Sequence, residues 1–154
     1  SEFGKWSKAV EIDLIGNAAV VHALLPTLLL QEKPKLVLFG GGGAAYSRPM
    51  HTAYAASKTA IVRFAEILAD EYKGVLDVNV IAPGAHKTPM WNDETHDKEP
   101  EKWADDKLLF ALIDWLVSSA SDGVSGRFIH IENEYREFTP EITGSDRYVL
   151  RRTK

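Results

Sequence analysis

Three segments with helical spacing alternate with three short apolar runs, and this order constrains the fold more than any other feature of the sequence. The helical segments are Trp6–Gln31, Ala53–Tyr72 and Glu101–Ser119. The apolar runs, which are typical of buried strands, are Lys35–Phe39, Val75–Ala82 and Arg127–Ile131. Because a helix separates each strand from the next, the order predicts right-handed crossovers and a parallel α/β sheet with helices on its faces. Three strands are few for this architecture, and we interpret the pattern as cut short on its N-terminal side.

Proline, glycine and polar residues mark the ends of these elements. Pro34 closes the first helix, Gly74 is predicted to cap the second, and Pro83-Gly84 stop the second strand. The segment Ala85–Pro100 is polar and lacks periodicity, which predicts a mobile loop. The tail from Glu132 onwards is charged, and we expect it to be ordered only where it docks on the rest of the chain.

The composition predicts one globular domain and excludes several kinds of site. The chain has 154 residues, of which 45% are hydrophobic, so we expect residues 1–154 to form a single domain with a buried core. A net charge of −4 argues against a nucleic-acid partner, and the absence of cysteine excludes disulfides and zinc–cysteine sites. The histidines lack the spacing of a metal site, so no metal is expected. The longest apolar run, Ala18–Leu30, is too short for a bilayer, and we expect a cytoplasmic protein with no membrane partner.

The glycine run Gly40–Gly43 follows the first predicted strand and raises the question of phosphate binding. Gly40–Ala45 can be aligned with the dinucleotide fingerprint G-x-G-x-x-G/A. In that fingerprint the helix opens inside the glycine turn so that its N–H groups face the phosphates, whereas Arg48-Pro49 and other loop residues intervene here. Glycines are also common in tightly turned surface loops. A turned loop is the favoured interpretation, with a phosphate cradle as the alternative.

Tyr54 and Lys58 form a candidate pair for proton transfer. They lie four positions apart at the start of a predicted helix, so they share one face. A phenol has a pKa of about 10 and is a poor base at neutral pH. A neighbouring ammonium group lowers that pKa, and such a pair could move a proton to or from a hydroxyl or carbonyl oxygen. The alternative is that both are ordinary surface residues of an amphipathic helix.

The order of four motifs resembles the short-chain dehydrogenase/reductase family. The motifs are "EIDLIGNAAVVHALLP", "KLVLFGGGG", "AYAASK" and "VNVIAPGAHKTPM", and the resemblance covers about Trp6–Ile131. It implies the C-terminal portion of a Rossmann-like, doubly wound parallel sheet, without the N-terminal half that carries the family's T-G-x-x-x-G-x-G dinucleotide loop. The glycine run with "YAASKTA" and the ending "DRYVLRR" resemble one bacterial branch of the family.

The resemblance also implies roles for individual residues and a cofactor. Tyr54 would be the acid/base, and Lys58 would lower its pKa and hold the nicotinamide ribose. The residues that would border the nicotinamide are Pro83, Gly84, His86 and Thr88. The implied activity is hydride transfer between NAD or NADP and a small-molecule carbonyl or alcohol substrate. Ser57, within "ASK", is predicted to be a helix-packing residue and not a nucleophile.

Two residues depart from the family pattern. Gly41 stands where the family has its substrate-orienting serine, so the hydroxyl is missing, and the glycines become the rim of an active site. Asp13 stands at the position of the active-site asparagine, where it can still accept a hydrogen bond but adds a charge. The alternative function is therefore a non-catalytic fragment or pseudoenzyme that acts as an assembly or binding module. Cofactor binding by the 154-residue chain alone is expected to be weak or undetectable.

The first two helices carry more apolar surface than one face of a sheet can cover, which predicts association. The family's counterparts commonly pack against a second subunit, so we expect a homodimer or higher homo-oligomer. The residues predicted for this interface are Leu14, Val21, Leu25, Phe64 and Leu68. The alternative is pairing through the open edge of the strand Lys35–Phe39.

Overall fold

The computed structural model of the chain describes residues 2–92 and 98–151. Its helices are α1 (Glu2–Val10), α2 (Asn17–Leu28), α3 (Thr52–Glu71), α4 (Pro89–Asn92) and α5 (Asp106–Val117). A wider π-helical segment, Glu11–Gly16, joins α1 to α2, so that the first helical region is continuous. The strands are β1 (Lys35–Phe39), β2 (Asp77–Ala82) and β3 (Arg127–His130).

The three strands form one parallel sheet in the order β1-β2-β3, which confirms the predicted architecture. Residues Lys35 to Phe39 pair in register with Asp77 to Ile81, and Asn79 to Ala82 pair with Arg127 to His130. The central strand β2 is covered on both faces, so its residues from Val78 to Ala82 are all buried.

Helices cover both faces of the sheet, so the fold is doubly wound. Val80, 1% exposed, points into a core shared with α2 and α3. Ile81, fully buried, points the other way, into a core built with α5 and the C-terminal tail, residues 132–151. Adjacent strand residues face opposite sides because side chains alternate along a strand.

The C-terminal tail is docked on the rest of the chain. Docking is the condition under which we expected it to be ordered. Its apolar anchors are buried: Tyr135, Phe138 and Ile142. Arg127, only 5% exposed, donates hydrogen bonds of 2.9 Å to the carbonyl oxygens of Ser145 and Arg147. Burial lowers the pKa of Arg127, and these carbonyl acceptors compensate the desolvation of its guanidinium.

Several predicted boundaries are wrong by a few residues, for local reasons. Strand β2 begins at Asp77 and not at Val75, because the N–H of Val75 closes the end of α3 by bonding to the carbonyl of Tyr72 at 2.9 Å. Helix α5 begins at Asp106 and not at Glu101, because the side chain of Asp105 caps it by accepting from the Lys107 N–H.

The segment predicted as a mobile loop is partly ordered. Within Ala85–Pro100 lies the short helix α4, and its Trp91 packs edge-on against Trp103 with ring centroids 5.2 Å apart. Residues 93–97 of that prediction lie outside the described residues.

The residues predicted for the interface are mostly core residues, which corrects that prediction. Val21, Leu25 and Leu68 are at most 9% exposed and pack inside this domain. The large apolar side chains that the first helical region does expose are Phe3, Trp6, Ile12, Ile15, Val20 and Leu24. By length and composition the segment Glu2–Leu28 could cross a membrane, although the run Ala18–Leu30 alone could not; core helices of soluble proteins and signal sequences meet the same criterion.

Candidate active site

A cavity of about 660 Å³ lies at the carboxyl edge of the sheet. Gly41 follows β1, Pro83 follows β2 and His130 ends β3, so all three strands deliver residues to this edge. In open parallel sheets, ligands bind in crevices at this end of the strands. We call this space the active-site cavity.

The active-site cavity brings together most of the residues singled out from the sequence. Those that line it are Asp13, Gly41, Tyr54, Pro83, Gly84, His86 and Thr88. Lys58 lies behind this surface, with its Nζ 5.8 Å from the centroid of the Tyr54 ring. Residues more than 70 positions apart in the sequence therefore meet in one place.

Tyr54 lies in the first turn of α3, and its ring points towards the end of β1. A Cβ atom built on Gly41 would overlap the Tyr54 hydroxyl and would lie 3.0 Å from its Cζ. Gly41 itself has an extended backbone, with φ 170°, so it is the available space and not the backbone angle that favours glycine here. The tyrosine hydroxyl thus fills the space of the missing side chain.

Burial raises the pKa of Tyr54 above its ordinary value. A hydrogen bond and the positive charge of Arg48 oppose this rise, while the charge of Asp13 adds to it. The cation that opposes the rise is Arg48, and the lowering of this pKa by Lys58 stays a prediction.

Lys58 is held in place by two oxygen atoms. Its Nζ lies 3.3 Å from the carbonyl oxygen of Phe39 and 3.5 Å from Oδ1 of Asp13. Asp13 reaches it from the π-helical segment, whose wider turn is a feature often found at functional sites. Asp13 therefore places a negative charge beside the ammonium group of Lys58.

The segment Pro83–Thr88 forms the wall opposite Tyr54. Gly84 adopts a φ of 77°, a left-handed angle that suits glycine and turns the chain away from β2. The ring of His86 bridges the Pro83 carbonyl oxygen and Oδ1 of Asp106, each at 2.8 Å. These contacts fasten the wall to the first turn of α5.

The glycine run is a turn at the edge of the cavity and not the start of a helix. Gly42–Ala44 make a single 3₁₀ turn, and α3 begins only at Thr52. Gly40 is packed against the core, where an added Cβ would lie 2.8 Å from the Phe128 ring. Gly41 and Gly42 line the cavity, which agrees with their interpretation as an active-site rim.

The profile of the short chain dehydrogenase family matches residues 2–99, well over half of the chain. The protein belongs to the short-chain dehydrogenase family. Among curated relatives, the Escherichia coli K12 oxidoreductase YciK is 31% identical over 121 residues, which are 79% of this chain and 48% of YciK. The 3-oxoacyl-[acyl-carrier-protein] reductase FabG of Thermotoga maritima is 28% identical over 141 residues, covering 82% of this chain and 55% of FabG. The chain thus spans about half the length of the curated relatives it matches.

Solved structures of short-chain dehydrogenases have the same fold. One from Shigella flexneri superposes with a TM-score of 0.76 at 29% identity, covering 84% of this chain and 51% of that one. One from Escherichia coli CFT073, solved in complex with NADPH, gives a TM-score of 0.75 at 29% identity, covering 83% and 53%.

The site of this short-chain dehydrogenase also contains residues that sequence reasoning missed. Arg48 lines the cavity, with its Cζ 5.2 Å from the centroid of the Tyr54 ring. The half-buried His51 lines the cavity as well, together with Tyr46 and His130. No spacing rule could have placed Tyr46, Arg48 and His51 at the cavity, because the path of the loop between the glycine turn and α3 sets their positions.

Ser57 is excluded from the cavity by its burial. Its side chain is 1% exposed, and its hydroxyl oxygen has no hydrogen-bond partner among the described residues. This agrees with its predicted packing role in α3. In residues 2–92 and 98–151 no three histidine or acidic side chains cluster in a way that could hold a metal ion.

Proposed function

We propose that this chain is the proton-transfer portion of an NAD(P)-dependent oxidoreductase that interconverts a small-molecule carbonyl compound and an alcohol. The observation that carries the proposal is the position of Tyr54, whose hydroxyl lies in the active-site cavity opposite Pro83–Thr88, with Lys58 behind it. The NADPH and NADP complexes of related short-chain dehydrogenases support the choice of cofactor.

The residues present fit a nicotinamide group at this edge of the sheet. The cavity of about 660 Å³ has a largely apolar wall at Pro83–Ala85 and polar groups at Tyr54 and Thr88. We assign contact with the ring to Pro83, Gly84, His86 and Thr88, and contact with the ribose to Lys58. When bound, a reduced nicotinamide supplies the hydride and its electron pair.

Tyr54 is the proposed acid/base. Its buried position raises its pKa and keeps the phenol protonated at neutral pH, which is the form needed to donate a proton to a carbonyl oxygen during reduction. In the reverse direction the phenolate accepts a proton from the alcohol. The positive charge of Arg48 lowers the free energy of that phenolate.

We also propose that residues 1–154 form one domain, and that the protein is a bacterial, cytoplasmic homodimer. The exposed apolar face of the first helical region supports the dimer, because six large apolar side chains there are exposed. An apolar helix face of this kind is covered more favourably by a second copy of the chain than by water.

A chimera tests the proposed activity. The part of Escherichia coli YciK that this chain does not match would be joined ahead of Glu2, and NADPH oxidation would be followed with a panel of aldehydes and ketones. We expect turnover that falls by at least about 100-fold in Tyr54→Phe, since general acid catalysis is worth that much. Tyr72→Phe, outside the cavity, is the matched control and should keep full activity.

Two outcomes would contradict the proposal. One is a folded chimera that binds NADPH but turns over no carbonyl compound, which would favour the non-catalytic binding module. The other is turnover that survives Tyr54→Phe. Calorimetry on the 154-residue chain alone gives a further check, because its sequence contains no T-G-x-x-x-G-x-G loop and should bind NADPH weakly or not at all.

A further inference from the structure

Because Gly41 has no hydroxyl, it cannot donate the hydrogen bond that orients the substrate carbonyl oxygen. The space that a serine side chain would need is filled by the hydroxyl of Tyr54, so no side chain fits at Gly41 unless the tyrosine moves. A carbonyl oxygen that approaches Tyr54 must find its second hydrogen-bond donor elsewhere on the cavity wall.

Arg48 is in the right place to be that donor. It lies in the loop between the glycine turn and α3, and its side chain reaches over the Tyr54 ring with Cζ 5.2 Å from the centroid. It also forms a hydrogen bond with the Tyr54 side chain and lines the same cavity. Among the described residues that line the cavity, it is the only arginine or lysine.

We propose that Arg48 donates a hydrogen bond to the substrate carbonyl oxygen, in place of the serine hydroxyl that Gly41 lacks, and stabilises the phenolate that Tyr54 becomes. This inference rests on the proposed function. A guanidinium carries five N–H donors in a rigid fork, so one side chain can contact both Tyr54 and a substrate oxygen.

The chemical step balances with these groups. During reduction the carbonyl carbon gains a hydride from the reduced nicotinamide, and the π electron pair of the C=O bond moves onto oxygen. That oxygen takes the proton of Tyr54, and the resulting phenolate lies beside the positive charge of Arg48. Tyr54 then regains a proton from solvent. The guanidinium of Arg48 keeps its positive charge throughout the step.

Arg48 differs from the other charged and titratable groups around Tyr54 by its fixed positive charge on the cavity wall. Asp13, from the first helical region, pairs with Lys58 of α3 at 3.5 Å, and its negative charge raises the pKa of Tyr54. The remaining titratable groups on the cavity wall are imidazoles and one phenol: Tyr46, His51, His86 and His130. His86 is already engaged with Asp106 and with the Pro83 carbonyl.

Titration of Tyr54 in the 154-residue chain tests the interaction between Arg48 and Tyr54, and it needs no enzyme activity. The chain would be labelled with ¹³C at tyrosine Cζ, and Tyr54 would be assigned by comparison with Tyr54→Phe. We expect Arg48→Gln to raise the pKa of Tyr54, because the phenolate loses a neighbouring positive charge. Arg48→Lys, which keeps the charge but loses the fork, should give a smaller rise.

A matched control is available at a second arginine–tyrosine pair. Arg136 lies 4.9 Å from the centroid of the Tyr135 ring, far along the chain from the cavity. Arg136→Gln should leave the titration of Tyr54 unchanged. An unchanged pKa of Tyr54 in Arg48→Gln, with native circular dichroism, would overturn the inference.

Kinetics of the chimera test the contact with substrate. We expect Arg48→Gln to lower kcat/KM by roughly 100-fold, as loss of an oxyanion donor does, with partial rescue in Arg48→Lys. A value of kcat/KM equal to wild type would overturn the substrate contact. A shifted titration together with no turnover in a folded, NADPH-binding chimera would instead overturn the proposed function and its substrate contact, while the Arg48–Tyr54 coupling would stand.

Discussion

The carboxylate of Glu66 accepts a hydrogen bond of 2.6 Å from the backbone N–H of Leu150, 84 residues further along the chain. Glu66 is 5% exposed, and the guanidinium groups of Arg63 and Arg151 also contact it. One buried side chain of α3 therefore holds the end of the described chain against the domain. A buried carboxylate is tolerated here because it has an N–H group and two cations as partners.

Removing this carboxylate should release the end of the tail. We expect Glu66→Ala to lower the free energy of unfolding by about 1–3 kcal/mol, the cost of losing a charged hydrogen-bond acceptor. Chemical denaturation gives the change, and hydrogen exchange should be faster at the Leu150 amide. Glu71→Ala, exposed at the end of the same helix, should change neither quantity. Equal effects of both substitutions would contradict this assignment.

Gly41→Ser should displace the ring of Tyr54. The added Cβ overlaps the Tyr54 hydroxyl, and this side chain can swing away into the cavity, so the substitution moves the tyrosine without disrupting the core. We expect a changed ¹³Cζ chemical shift for Tyr54 and a loss of stability below about 3 kcal/mol. Gly42→Ser is the matched control, because no atom lies within 4 Å of a Cβ there. An unshifted Tyr54 resonance in Gly41→Ser would show that a side chain at position 41 and the Tyr54 hydroxyl do not occupy the same space.

The stability of the domain should depend on the ionisation of Tyr54 at high pH. Burial raises its pKa above 10.0, so the native state keeps a proton that the unfolded chain gives up. The stabilisation from this difference is fully present below about pH 10 and is lost as the pH rises through the raised pKa. We therefore expect the free energy of unfolding to fall less steeply above that pH in Tyr54→Phe than in wild type.

The control for this pH dependence is Tyr46→Phe, since Tyr46 is 78% exposed. Urea denaturation at a series of alkaline pH values would measure the slopes. The slope of Tyr46→Phe should match wild type, and a Tyr54→Phe slope equal to both would refute the raised pKa.

Charges on the outer face of α2 should dissociate the proposed dimer. Val20 and Leu24 are 58% and 49% exposed, so Val20→Asp with Leu24→Asp places two carboxylates on that face without entering the core. Light scattering at micromolar concentration should report a dimer for wild type and a monomer for the double variant. Phe110→Asp, on α5 and 61% exposed, should remain dimeric. A dimer that survives the double variant would favour pairing through the open edge of β1.

Much of the fold could be predicted from the sequence because its signals are local. The helical spacing around Ile61 and the short apolar run Lys35–Phe39 are both patterns of residues that lie close together in the sequence. The order of such elements then leaves few topologies open. The predicted starts of β2 and α5 were wrong because a single hydrogen bond decided each of them, at Val75 and at Asp105.

The site could be predicted only in part, for the same reason. Tyr54 and Lys58 were found because one helical turn fixes their separation, and Pro83-Gly84 because they end a strand. The outward face of the first helical region was assigned wrongly, since Val21 and Val20 are equally apolar and adjacent in sequence. Only packing on the sheet made one 3% exposed and the other 58%.

The sequence by itself determined the α/β architecture, the parallel order of the strands and the pairing of Tyr54 with Lys58 on one helix. These follow from periodicity and from short-range sterics, which a linear pattern records. The tertiary structure alone decided that Arg48 lies over Tyr54, that Asp13 pairs with Lys58 and that Glu66 holds Leu150. Such contacts depend on how separate elements pack and on the path of one loop, and no spacing in the sequence encodes that geometry.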